Sequence, residues 1–205
     1  MCYFLSFCQK AAINNTKNAT LHARMVRFKS APNLVWMDLE MSGLEPEHDV
    51  ILEVATIVTD ANLNILGEGP VLAVHQTENI FESMDDWNTR HHTQSGLVER
   101  CRKSRYSVSD AEQMTLDFIK PFTQEHSNVL CGNSITQDRR FLYKYMPKLS
   151  GWLNYRNIDV SSIKELTFRW YPKLPEFEKQ ERHQALDDIR ESIAELDYYR
   201  KTIFK

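Results

Sequence analysis

In Asn33-Leu34-Val35-Trp36-Met37-Asp38-Leu39-Glu40, an apolar run ends in two acids spaced two residues apart. Strand side chains alternate with period 2, so a strand here puts Asp38 and Glu40 on one face and Leu39 on the other. Two carboxylates on one strand face make half of a metal site, and the chain must supply the other half from elsewhere. The candidates are Asp138, at the start of a predicted helix, and His183 with Asp187 and Asp188, at the start of the last predicted helix.

The remaining composition places this pair in an ordinary globular chain. With 205 residues, 42% of them hydrophobic, there is enough material for one sizeable core. No apolar stretch approaches the ~20 residues needed to span a bilayer, and Met1 to Cys8 lacks the basic start of a secretory signal. The expected protein is therefore free of membrane. Cys2, Cys8, Cys101 and Cys131 show no zinc-ligand spacing, which favours a reducing, cytoplasmic setting. A net charge of -3 offers no broad basic field for a long nucleic acid, so such a ligand must be held by local groups or metal ions.

Before Asp38 there is no acid, whereas Lys10, Lys17, Arg24, Arg27 and Lys29 are all basic. The segment 1–30 is read as a disordered or spurious extension, with Met25 a plausible true start and 31–205 a single domain. The alternative is a transit peptide and an organellar location, although the segment is Asn-rich and has no clear amphipathic Arg repeat.

From residue 33 the pattern predicts strands over Ile51 to Thr59 and Ile65 to His75, around the turn-like Asp60-Ala61-Asn62-Leu63-Asn64. Together with the carboxylate strand they make a three-stranded antiparallel start. Helical patterning begins at Asp85; Ser109 to Glu112 reads as a capping box, and Pro121 ends or kinks the helix that follows. Asn128 to Cys131 and Arg156 to Val160 read as further strands. Helices follow each, one capped by Ser134 to Gln137 and carrying Asp138, the other starting at Ser161 and Ser162. Leu186, Ile189, Ile193, Leu196 and Ile203 stripe the last helix. Strands first, then alternating helix and strand, predict an α/β fold with a mixed sheet flanked by helices.

Asp38-Leu39-Glu40, Asp138, and His183 followed five positions later by Asp188 resemble the DEDDh exonuclease family, which has a ribonuclease H-like fold. Further stretches are similar to the oligoribonuclease branch, which degrades very short RNAs. They are Trp36 to Leu44, Met84-Asp85-Asp86-Trp87-Asn88, Ser95-Gly96-Leu97-Val98, Cys131-Gly132-Asn133-Ser134, Gln137-Asp138-Arg139-Arg140-Phe141 and His183 to Ser192. The resemblance runs from Asn33 to Phe204.

It implies a 3′-to-5′ exoribonuclease that shortens oligoribonucleotides, down to dinucleotides, to 5′-mononucleotides. Asp38, Glu40, Asp138 and Asp188 would hold two divalent cations, Mg2+ or Mn2+, whose hardness suits carboxylate oxygens. His183 would act as general base. The family motif selects Asp188 over Asp187, although Asp187, four residues after His183, would share its helical face. Leu44 resembles the family's wedge against a base, and Trp87 offers a stacking or packing surface. Ser134, Tyr155, Arg156 and Ser161 resemble a cap on the substrate 5′-phosphate, and the resemblance counts Tyr155 with His183 as catalytic. Tyr155 and Arg156 would come from the second subunit of a homodimer. Asn154 stands where many relatives are expected to carry histidine. Asp60, Glu99 and Asp159 are read as surface groups or helix caps, and Arg139 and Arg140 as solvated helix surface. Two alternatives are a DEDDh exonuclease for DNA or structured RNA ends, and a non-catalytic nucleotide-binding protein. The first should carry a longer basic path, and the second should have lost a carboxylate.

Overall fold

The computed structural model describes residues 31–178 and 185–204, and the chain divides into the units Met1–Pro32 and Asn33–Lys205. The readings of residues 1–30, the start at Met25 and the placement of His183 lie outside the described residues. In the second unit the strands are β1 (Leu34–Met41), β2 (Ile51–Thr59), β3 (Ile65–Glu68), β4 (Leu72–Ala73), β5 (Leu130–Gly132) and β6 (Asn157–Asp159). They form one six-stranded sheet in the order β3-β2-β1-β5-β6, with β4 also paired to β2. The pairs of β2 with β1, β3 and β4 are antiparallel; β1 with β5, and β5 with β6, are parallel. This is the mixed α/β sheet that the order of elements predicts.

The helices are α1 (Glu78–Ser83), α2 (Asp86–Gln94), α3 (Leu97–Lys103), α4 (Val108–Ile119), α5 (Thr136–Tyr145), α6 (Pro147–Trp152), α7 (Val160–Trp170) and α8 (Ala185–Thr202). They cover both faces of the sheet. Val35, Met37 and Leu39 of β1 pack with Ala111, Leu116 and Ile119 of α4 and with Phe141 and Leu142 of α5. On the other face Trp36 packs with Ile57, Val160, Ala185, Ile189 and Ile193. Every residue of β2 is buried, as expected of a central strand covered on both sides. Among the described residues no helix is long and apolar enough to cross a membrane.

Several local expectations are corrected. The Ile65 to His75 strand is two strands, because Pro70 has no N–H to give the ladder. Before it, Gly69 admits the α4 aromatic: a Cβ there would lie 2.8 Å from the Phe118 ring. The capping box of α4 is Ser107 with Asp110, not Ser109 with Glu112, since the helix begins at Val108. Released from that role, buried Glu112 accepts from the backbone N–H groups of Lys148 (2.7 Å) and Leu149 (3.1 Å), capping α6 from a distance. Helix α1 precedes the predicted helical onset at Asp85, whose side chain instead caps α2. Ser134 does not cap α5, because its hydroxyl turns to Ser161, 3.2 Å away.

Candidate active site

The alternation that sends Leu39 into one core directs Asp38 and Glu40 toward the α8 face, in line with Trp36. There α8 lies with Ala185, Ile189 and Ile193 against the sheet, and its first turn carries Asp188. One oxygen each from Asp38, Glu40 and Asp188 lie within 4.8 Å of one another. Asp138, in the first turn of α5, is buried beside them, with Oδ1 accepting from the Leu39 N–H at 3.0 Å. It stands outside the three-oxygen group, tied to the backbone between the two β1 acids. Asp187 turns away to Arg190, at 2.6 Å.

Packing like charges into a half-buried corner, with Asp138 buried behind it, has an electrostatic consequence. Burial, then the neighbouring Asp138, Glu40 and Asp188 carboxylates, hold the Asp38 carboxyl well above the usual carboxylate range. Burial and Glu53 push Glu40 up from 4.5 to about 7, and burial pushes Asp138 to about 7. An all-oxygen donor set whose members resist ionising together fits a hard divalent cation, which would supply the missing positive charge.

The same shifts set a pH dependence. Glu40 titrates at 4.5 when unperturbed and at about 7 in the fold, so between those values the native state binds more protons than the unfolded chain. Its contribution to metal-free stability is complete below 4.5 and is lost as pH rises through about 7. Metal-free melting temperature, compared between wild type and Glu40→Gln from acid to alkaline pH, should therefore fall more steeply in wild type. Parallel curves would exclude the raised carboxyl. Added Mg2+ should recover more stability above neutrality, where the carboxylates have lost their protons.

Two supporting groups were missed in the sequence. Glu53 pairs directly with Glu40 in the β1–β2 register and is buried, where Arg100 of α3 grips it with contacts of 3.0 to 3.1 Å. An acid inside the otherwise apolar Ile51-Leu52-Glu53-Val54-Ala55 was the available signal, but its partner lies 47 positions away. His92 is the second. Its Nε2 lies 2.9 Å from the Met41 carbonyl and so must carry the hydrogen, leaving Nδ1 as a lone pair 3.9 Å from Glu40 Oε2. Arg100→Ala should strand the Glu53 carboxylate and destabilise the fold by about 2 kcal/mol, below the ~3–5 of a fully buried pair because Arg100 is half exposed. Urea unfolding measures this, and an unchanged midpoint would show that the pair adds nothing.

The residues expected to touch substrate fall into separate groups. Leu44 and Trp87, both exposed, line one cavity of about 620 Å³ with Ser42, Asp49 and Asp85. Trp87 stacks on His91 at 4.8 Å. Gly43 makes the loop possible, because a Cβ there would meet the Asp49 carboxylate at 2.4 Å. That carboxylate accepts from Ser42 Oγ and from the Glu45 N–H, while Gln137 and Arg140 hold the Leu44 carbonyl. Ser134 and Ser161 meet at the end of β5, where Asp159 caps α7 and accepts from the Ser134 N–H.

Tyr155 is exposed with the Arg156 guanidinium 5.1 Å over its ring. Among the described residues, neither side chain hydrogen-bonds to Ser134 or Ser161. Arg139 corrects the solvated-surface reading: it is buried, and it binds the Asn157 side chain and the carbonyls of Asn154 and Arg156. Asn154 works in the same loop, donating to the His126 carbonyl at 2.6 Å and accepting from the Arg156 N–H at 3.0 Å.

A family model described as exonuclease (RNase T) matches residues 35–196. An oligoribonuclease of Pseudomonas savastanoi pv. phaseolicola is 58% identical over 178 residues, covering 87% of this chain and 99% of that protein. An oligoribonuclease of Shewanella loihica is 58% identical over 174 residues, 84% of this chain and 96% of that protein. Among solved structures, a zinc-bound E. coli exonuclease I in complex with single-stranded DNA has a TM-score of 0.65 at 15% identity. The match covers 85% of this chain but only 42% of that one, so the likeness is one of fold.

Proposed function

This chain belongs to the RNase T-type exonuclease family and, within it, to the oligoribonucleases, and from that premise we propose how its acidic corner removes nucleotides from the 3′ ends of short oligoribonucleotides. The observation that carries the proposal is the convergence of Asp38, Glu40 and Asp188, with Asp138 against Leu39, at the end of β1. These four carboxylates would hold two divalent cations, and the all-oxygen set favours Mg2+ or Mn2+. Such cations supply Lewis-acid activation of the phosphodiester and an acidified attacking water.

The protein's own groups do the rest. His183, outside the described residues and assigned by its match to the family motif, takes the proton from the attacking water as the bond from phosphorus to the 3′-oxygen of the upstream nucleotide breaks. Leu44 and Trp87 flank the terminal base in their shared cavity. Ser134 and Ser161 bind the substrate 5′-phosphate, with Tyr155 and Arg156 supplied by the other subunit of a homodimer. The exposure of Tyr155 and Arg156, beside a loop braced by Arg139, suits that exchange. Dinucleotides are then the shortest substrates and 5′-mononucleotides the products. Buried free thiols at Cys101 and Cys131 fit a reducing cytoplasm.

The test is hydrolysis of labelled 5′-phosphorylated RNAs, two to ten nucleotides long, with Mg2+, Mn2+ or chelator, on a sample whose mass is read by sedimentation. Catalytic efficiency should peak at the dinucleotide, vanish with chelator and belong to a dimer. Equal efficiency on long single-stranded DNA would replace this reading with a general DEDDh exonuclease, and a fully active monomer would remove the shared cap.

A further inference from the structure

The helix that carries Asp188 and the serine pair are joined by a hydrogen-bond relay that passes through one side chain, Asn133. Its Nδ2 donates to Ser192 Oγ at 3.0 Å and to Glu195 Oε2 at 3.1 Å, both on α8. Its Oδ1 accepts from Ser161 Oγ at 3.3 Å. The chain continues at both ends: Ser192 Oγ donates to the Asp188 carbonyl at 2.9 Å, and Ser161 Oγ accepts from the Ser134 N–H at 3.0 Å and from its hydroxyl at 3.2 Å. Each hydroxyl gives one hydrogen and every bond has a consistent direction, so the relay is a complete network.

The turn that Asn133 occupies needs such support. Ser134 has φ 51°, a left-handed conformation that a residue with a Cβ keeps only when its surroundings over-determine it. Gly132 permits the close turn beneath, since a Cβ there would lie 3.0 Å from the Met37 carbonyl, one residue before Asp38. Asparagine suits the position for a specific reason. It offers two donors toward α8 and one acceptor toward Ser161 from a single planar group. Aspartate would face the buried Glu195 carboxylate with a second negative charge.

We propose that Asn133 is a positioning residue that fixes the span between the helix carrying Asp188 and the serines Ser134 and Ser161, and thereby sets the preference for the shortest 5′-phosphorylated substrates. The inference rests on the phosphate-site reading given above and deepens it. Loss of the link lets the serine pair drift relative to the reacting end, and a misplacement of about 1 Å can cost on the order of 10²-fold when two substrate ends must fit together.

The experiment uses the full-length enzyme with Mg2+ and three substrates: a 5′-phosphorylated dinucleotide, its 5′-hydroxyl counterpart and a 5′-phosphorylated pentanucleotide. Asn133→Ala should lower kcat/KM on the phosphorylated dinucleotide roughly tenfold or more, mainly through KM. The 5′-hydroxyl dinucleotide and the pentanucleotide should lose about threefold or less, so both preference ratios shrink. Ser192→Ala should shift the ratios the same way with a smaller effect, and it decides the matter if Asn133→Ala does not fold. Equal losses on all three substrates would overturn the proposal, because a merely structural residue would act that way. Ser161→Ala separates the two ideas. If it erases the 5′-phosphate preference while Asn133→Ala and Ser192→Ala do not, the phosphate site stands and the positioning role falls. If Ser161→Ala leaves the preference intact, the phosphate site falls and the positioning role with it.

Discussion

Alanine at Asp38, Glu40, Asp138 or Asp188 is expected to reduce turnover by about 10³-fold or more, roughly 4 kcal/mol of barrier, while the protein stays folded. Loss of one carboxylate would weaken the hold on the cations and with it the Lewis-acid activation they would supply, which accounts for the size of the effect. The fold should survive because these carboxylates are a strain on it: burial and mutual repulsion raise Asp38 and Glu40 above their usual ranges. Asp38→Ala and Glu40→Ala should therefore melt higher than wild type without metal above neutral pH. Asp138→Ala should gain less, because the Leu39 N–H loses its acceptor. Asp187→Ala is the mild contrast, since it breaks only a surface pair with Arg190. Single-turnover rates at saturating metal, beside melting curves, read both effects, and near-normal turnover in any of the four would strike that residue from the ligand set.

Period and order made the sheet legible. Asp38 and Glu40 could be assigned one face and Leu39 the other from alternation alone, and the stripe of α8 pointed Ile189 and Ile193 at the sheet. Contacts between distant positions were not legible. Arg139 and Arg140 are adjacent and chemically alike, yet one is buried against the Asn154 to Asn157 loop while the other stays exposed and braces the Leu44 loop. Nothing local distinguishes them; the difference comes from where β6 returns beside β5. Glu53 shows the same limit. An acid in a buried strand signals a partner but does not name Arg100. The capping box failed for a simpler reason, because Ser107 and Ser109 both offer the motif's first residue and only the helix start chooses between them. Asn133 was visible within the Gly132-Asn133-Ser134 stretch, but its role depended on Ser161 and Ser192, which reach it from two other helices.

His183→Ala should lower turnover by roughly 10² to 10⁴ while short RNA still binds, because a general base contributes about that much and is not a cation ligand in the proposed scheme. Binding of a 5′-phosphorylated dinucleotide, measured by fluorescence beside single-turnover rates, separates the two. An unchanged rate would take His183 out of the mechanism. The pH profile needs more care, since without metal the Glu40 and Asp138 carboxyls, each raised to about 7, titrate in the range where an ordinary imidazole does. All three make the rate fall on the acid side, so one profile cannot assign the limb. Metal concentration can. A cation competes with protons for carboxylates, so the part of the limb owed to Glu40 and Asp138 moves to lower pH as Mg2+ rises. The part owed to His183 stays in place, because a base that is not a ligand does not compete. At saturating Mg2+ the remaining acid limb should therefore be present in wild type and absent in His183→Ala. If the limb persisted unchanged in the variant, it would belong neither to His183 nor to the carboxyls but to the attacking water itself, and the proton would have to leave by another route.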